Sequence, residues 1–154
     1  MLYLLRSFGV GNKSALKIGF TDDMVCRLGQ YKIHNPFFEL ISTRQGTQDD
    51  ELYLHLYLMA SGYKARILNE WFIDCPDIYT IFHKPISSLH YTIWRCRDLL
   101  FDISDFTNPL HRRVYEDLRR EFGPARHLLP FEVSWKFAES REKLRRMKTE
   151  HPYI

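Results

Sequence analysis

Short apolar runs, separated by turn residues, alternate with segments of helical period across residues 1–84. This alternation constrains the fold of the 154-residue chain more than any other feature. Leu2–Arg6 is rich in strand-formers, and Gly9, Gly11 and Asn12 mark the turn into a second run, Ala15–Phe20. The two runs predict a hairpin. Thr21-Asp22-Asp23 is an acceptor-rich helix start, and Met24, Val25, Leu28 and Tyr31 recur at helical spacing, so a helix is predicted over Asp23–Lys32. Asn35-Pro36 ends it, and Phe37–Thr43 is a third strand, closed by Gly46. Thr47–Asp50 caps a second helix running to about Ala60, filled by Leu52, Leu54, Leu56, Tyr57 and Leu58, with Gly62 as its C′ residue. Leu68–Asp74 reads as a short last strand, and Pro76-Asp77 opens a short helix towards Phe82. After Pro85 the texture becomes helical: Ser88–Ile103, then Leu110–Phe122 stopped by Gly123-Pro124, then Lys136–Glu150. The order β-β-α-β-α-β followed by helices predicts an α+β domain over residues 1–84 and a helical, basic extension over 85–154. The extension is expected either to pack on the first domain or to contact nucleic acid.

Composition excludes disorder, because 45% hydrophobic and 15% aromatic residues can fill a core. The net charge is only +3, and it is unevenly placed. Residues 1–84 hold nine Lys/Arg against nine Asp/Glu, whereas residues 85–154 hold thirteen against ten. The second half is therefore the basic one, either as a phosphate-binding surface or as a solvated helical face. Cys26, Cys75 and Cys96 stand far apart with no C-x-x-C, so no zinc or redox motif is visible. The apolar run Met1–Leu5 is stopped by Arg6, too short for a signal segment or a membrane span. The expectation is an intracellular protein, cytoplasmic or nucleoid/nuclear, not secreted and without a membrane partner.

Several short motifs then appear in order. Leu2-Tyr3-Leu4 comes first, followed by Lys17-Ile18-Gly19-Phe20-Thr21, and Arg27-Leu28 lies eight residues past Gly19. Asn35-Pro36-Phe37 and Glu39-Leu40 come next, then Glu51 with Leu54-His55, and finally Glu70-Trp71-Phe72. Over residues 1–83 this set resembles the GIY-YIG nuclease superfamily, in particular its phage-type branch whose second motif reads K-I-G. Two positions depart from the wider pattern: Lys17 stands for the second-motif tyrosine, and Tyr31 stands where some members carry histidine.

The resemblance implies a small, mainly antiparallel three-stranded sheet flanked by helices. It also implies a metal-dependent endonuclease that hydrolyses DNA phosphodiester bonds at one site with Mg²⁺ or Mn²⁺. In that reading Tyr3, Lys17, Arg27 and Glu51 are catalytic, and Glu51 is the metal carboxylate. Each has a plainer alternative. Glu51 begins an apolar helix, where a carboxylate also serves as a cap or compensates the dipole. Arg27 can clamp a phosphate bidentately or be an ordinary surface arginine. Tyr3 can be a core residue with its hydroxyl at the rim, and Lys17 a simple phosphate contact. The general base is left between Tyr3 and Lys17. His55, four residues after Glu51 on one helix face, is a supporting partner or a structural histidine. Tyr31, His34, Asn69 and Glu70 are further supporting candidates. Gly19 ends its strand where the backbone passes close to the site.

In the basic half, Arg141, Lys143, Arg145 and Arg146 are the candidate nucleic-acid contacts. DNA is the expected partner, RNA stays open, and the oligomeric state is not legible. Two other functional classes compete with the nuclease. One is a catalytically inactive nucleic-acid-binding module that keeps the fold. The other is a protein-interaction domain with no nucleic-acid role.

Overall fold

The computed structural model describes residues 1–8, 14–63, 65–66, 71–101 and 107–123. The α+β architecture has one sheet and one central helix. Strands β1 (Leu2–Phe8) and β2 (Ser14–Phe20) form an antiparallel hairpin pair in which Leu4 lies opposite Ile18. Period-2 alternation sends Leu2, Leu4, Leu16 and Ile18 to one face, where they join the main core. It sends Tyr3, Leu5, Lys17 and Gly19 to the other face. Leu2, Tyr3, Leu4 and Leu5 are all buried, which requires both faces of β1 to be covered.

Helix α1 (Met24–His34) starts on Asp23, whose carboxylate accepts from the Cys26 amide at 2.9 Å. Strand β3 (Phe38–Arg44) returns on the free side of β1, with a register shift between Leu4 and Leu5. Helix α2 (Gln48–Ala60) is capped by a reciprocal pair: the Thr47 hydroxyl accepts from the Asp50 amide, and the Asp50 carboxylate accepts from the Thr47 amide. Gly62, at φ 80°, is the left-handed residue after its end.

The expected three-stranded sheet is larger in the structure. Strands β4 (Ala65–Arg66) and β5 (Trp71–Ile73) extend it beyond β2, giving the order β3-β1-β2-β5-β4, antiparallel throughout. The added strands are short, and their anchor is Phe72, which is fully buried in the main core.

Helix α3 (Pro76–Phe82) opens with proline in its first turn, as its sequence predicts. The continuous helix expected over Ser88–Ile103 is broken into a 3-10 turn (Ile86–Leu89), α4 (His90–Arg95) and α5 (Arg97–Leu100). Cys96 leaves helical geometry between the last two, and Phe101 is extended. Leu100 and Phe101 are both buried. Helix α6 (Pro109–Phe122) follows, with Asn108 as its cap and Gly123 at φ 63° past its end. The helix predicted over Lys136–Glu150 lies outside the described residues, as does the turn at Gly9, Gly11 and Asn12.

Helix α2 is buried nearly all round, through Leu52, Tyr53, Leu54, Leu56, Leu58 and Ala60. It packs on β1 and β2 and also against the 3-10 turn, α4, α5 and α6. One apolar cluster accordingly runs from Leu2 and Phe72 through α2 to Ile93, Trp94, Val114 and Leu118. The candidate site is built on the other face of the sheet, where Tyr3 and Lys17 meet Tyr31 of α1.

Candidate active site

Tyr3 is the centre of the arrangement. It lies directly opposite Gly19 in the β1–β2 register and is 2% exposed. A Cβ on Gly19 would fall 2.3 Å from both Cζ and the hydroxyl oxygen of Tyr3. Glycine is therefore required there by the tyrosine ring, as a close approach of side chain to backbone. The Tyr3 hydroxyl is hydrogen-bonded to that of Tyr31 at 3.3 Å, and the rings meet edge to face with centroids 6.4 Å apart. Tyr31 also packs on Phe38, at 5.9 Å. Helix α1 has no fully buried residue, so this aromatic contact is a principal attachment to the sheet. A hydrogen bond from the Asn35 amide to Ser7 adds a second.

Lys17 sits two residues before Gly19 on the same face of β2. Its Nζ lies 5.3 Å from the ring centroid of Tyr31 and 5.6 Å from that of Trp71, its partner across β5. Two ring faces thus hold the ammonium group beside the two tyrosines.

The electrostatics of Tyr3 bring in two more residues. Burial pushes its hydroxyl pKa far above the ordinary tyrosine value, and the hydrogen bond and charge of Tyr31 add to this. The Arg27 guanidinium works in the opposite direction, and the Glu51 carboxylate raises the value further. The Tyr3 hydroxyl is therefore harder to deprotonate than that of an exposed tyrosine. Arg27 and Glu51, on different helices, both act on this hydroxyl. Arg27 itself is exposed, with Nη1 3.4 Å from the Gln30 side-chain oxygen on the same helix.

The sequence leaves Glu51 between capping and metal binding, and it shares the first turn of α2 with two other acids. Asp50 makes the capping box, and Asp49 accepts two hydrogen bonds from the Arg113 guanidinium, with Arg113 Nε at 2.9 Å. The Glu51 carboxylate contributes to the raised pKa of the Tyr3 hydroxyl. Among the described residues no three His, Cys, Asp or Glu side chains gather as a metal-holding group. A single carboxylate suits a hard cation that keeps most of its waters, which is how Mg²⁺ prefers to be held, so Glu51 fits that ion and does not fit a structural zinc.

The supporting candidates divide. Tyr31 is in the site. His55 is half-buried: its Nε2–H donates to the Ile18 carbonyl at 2.8 Å, and its ring meets Phe72 edge-on. It ties α2 to β2. His34 is the exposed last residue of α1. Asn69, Glu70, Arg141, Lys143, Arg145 and Arg146 lie outside the described residues.

Trp71 reads from sequence as core beside Phe72 but is half-buried and lies against Lys17, and Phe38, which sequence does not single out, packs on Tyr31. The signal was available for Trp71, because adjacent strand residues face opposite sides, and Phe72 alone accounts for the core position.

A second polar cluster, also not singled out, lies on the α2 face of the sheet. Asp74 accepts from Arg6 Nε at 2.8 Å, from Ser14 at 2.7 Å and from Tyr79 at 3.0 Å. Arg6 also reaches Glu39, 3.2 Å away, and Tyr79. The cluster links β1, β2, β3 and α3. No protein family matches this chain, and no curated protein or solved structure is detectably similar to it.

Proposed function

We propose that this chain is a metal-dependent endonuclease that hydrolyses DNA phosphodiester bonds. One observation carries the reading: Tyr3, Tyr31 and Lys17 lie together around a buried hydroxyl, and the charges of Arg27 on α1 and Glu51 on α2 both bear on it. These are the residues that the motif resemblance picks out. A phosphate in that position would meet two cations, two tyrosines and one carboxylate, a set suited to binding an anion while holding a divalent ion.

Arg27 would clamp the phosphate oxygens and offset charge as it grows on them. Lys17, oriented by Tyr31 and Trp71, would contact the same group. Tyr3 would donate a hydrogen bond and, through Tyr31, keep the hydroxyl pair in one geometry. Glu51 would hold Mg²⁺ or Mn²⁺, which when bound supplies Lewis-acid stabilisation of the phosphate and of the leaving oxygen. The test is nicking of supercoiled plasmid with Mg²⁺ or Mn²⁺ by wild type, Arg27→Ala and Glu51→Ala. Cutting by wild type and loss in both variants is the expected result. A Glu51→Ala protein that cuts as fast as wild type overturns the mechanism.

A second reading is a quiet nucleic-acid-binding module, favoured by one feature. Lys17, flanked by rings, stands at the second-motif tyrosine position and can hold a phosphate without metal. It predicts salt-sensitive DNA binding that is unaffected by Mg²⁺, with no cutting. Among the described residues no helix is long and apolar enough to cross a membrane.

A further inference from the structure

The outer face of α1 plays no part in the site just described. Met24, Leu28 and Tyr31 turn towards the sheet and are partly buried. Val25, Gly29 and Ile33 follow one another at intervals of four along the outer face. Val25 is 85% exposed and Ile33 79%, and Phe37, just beyond the helix, is 69% exposed.

Gly29 is the informative member of this row. It has no positive φ, so no turn requires it. A Cβ added there meets nothing within 4 Å, so no close approach among the described residues requires it either. A glycine in mid-helix costs roughly 0.5–1 kcal/mol relative to alanine. The contrast with Gly19, where the Tyr3 ring fills the missing Cβ position, is direct.

We propose that α1 is a self-association surface on which two copies of this chain cross antiparallel at Gly29. The spacing is symmetric about that residue, with Val25 four positions before and Ile33 four after. A two-fold axis through the glycines therefore sets Val25 of one copy against Ile33 of the other, the self-complementarity a closed dimer needs. The glycines let the backbones approach. The ends agree in charge as well: Asp22 and Asp23 precede the helix, and Lys32 and His34 close it. Antiparallel crossing brings each acidic end towards a basic one and opposes the helix dipoles, whereas parallel crossing sets like ends together. A phosphate backbone is the poorer occupant, since Asp22 and Asp23 head the stripe and its exposed members Val25 and Ile33 are apolar. The association does not depend on the nuclease reading.

The test is light scattering on the full chain across a concentration series, without DNA or metal. Wild type is expected to reach the dimer mass, and Ile33→Glu to weaken association at least tenfold. Gly29→Leu is expected to do the same while keeping its far-ultraviolet circular dichroism, because in a single copy the leucine enters open space and is a better helix former. Wild type that stays monomeric throughout overturns the proposal. So does a dimer that both variants leave unchanged, and so does a monomer in which Ile33→Glu instead weakens DNA binding.

Discussion

Gly19 and Tyr3 occupy one space: the ring of Tyr3 lies where any other residue at position 19 would place its Cβ, at 2.3 Å. The two stand directly opposite on β2 and β1, so the hairpin register sets the position of the hydroxyl at the centre of the site. Gly19→Ala is expected to push the ring out, at about 1–3 kcal/mol of stability for overpacking. Urea unfolding measures the cost. In a plasmid assay the same variant should lose most of its cutting, while Gly29→Ala keeps it.

The acids at the start of α2 should separate stability from chemistry. Thr47→Ala and Asp50→Ala remove the capping box and are expected to cost about 0.5–2 kcal/mol each with cleavage retained. Glu51→Gln should leave the melting temperature near wild type and abolish cutting. If Glu51→Gln destabilises as much as Asp50→Ala and still cuts, Glu51 is a capping residue.

Trp71 is expected to act on Lys17 without touching substrate. Trp71→Leu keeps an apolar side chain on β5 but removes one of the two rings around the ammonium group. Loss of a cation–π contact of about 0.5–2 kcal/mol should weaken DNA binding by a corresponding several-fold factor. Trp71→Phe should restore part of it. Equal binding by all three proteins would separate the tryptophan from the site.

The Arg6–Asp74 pair should govern stability in acid. Burial works against the Asp74 charge, but hydrogen bonds from Ser14, Tyr79 and Arg6, with the Arg6 charge, outweigh it and hold the carboxyl below its usual range. The unfolded chain therefore binds this proton first. The stabilisation is present above about pH 4 and is lost as pH falls below it. Asp74→Ala leaves the partly buried Arg6 without that partner, at about 1–3 kcal/mol. Its stability should also depend less on pH between 2 and 4 than wild type does.

At the alkaline end the tyrosines dominate. Burial, then the acids Asp117, Asp49, Glu121 and Asp50, push Tyr53 up to about 12. Burial and the hydrogen bond to Asp77 push Tyr63 up to about 12, and Tyr3 is raised further by burial and Tyr31. Each holds its proton longer in the fold than in the unfolded chain. Stability that is intact below about pH 10 should fall as pH rises beyond it. Absorbance titration of the phenolate should lag that of the unfolded protein.

The elements were legible in sequence wherever local chemistry decides them. The strand pair was set by two apolar runs either side of Gly9 and Gly11, α2 by the Thr47 cap and its apolar filling, and α3 by Pro76. The residues gathered around Tyr3 were legible as ordered motifs. Local pattern did not give the break at Cys96, where the chain leaves helical geometry between α4 and α5. Nor could it choose among Asp49, Asp50 and Glu51, adjacent acids of one helical turn. Asp49 is paired by Arg113, which lies far away in the chain and reaches that turn only through packing, while Asp50 makes the local cap. Sequence by itself determined which residues carry charge, period and turn chemistry. Tertiary structure alone decided which of them share a space, because a strand's two faces and a helix's first turn acquire different roles only when something is packed against them.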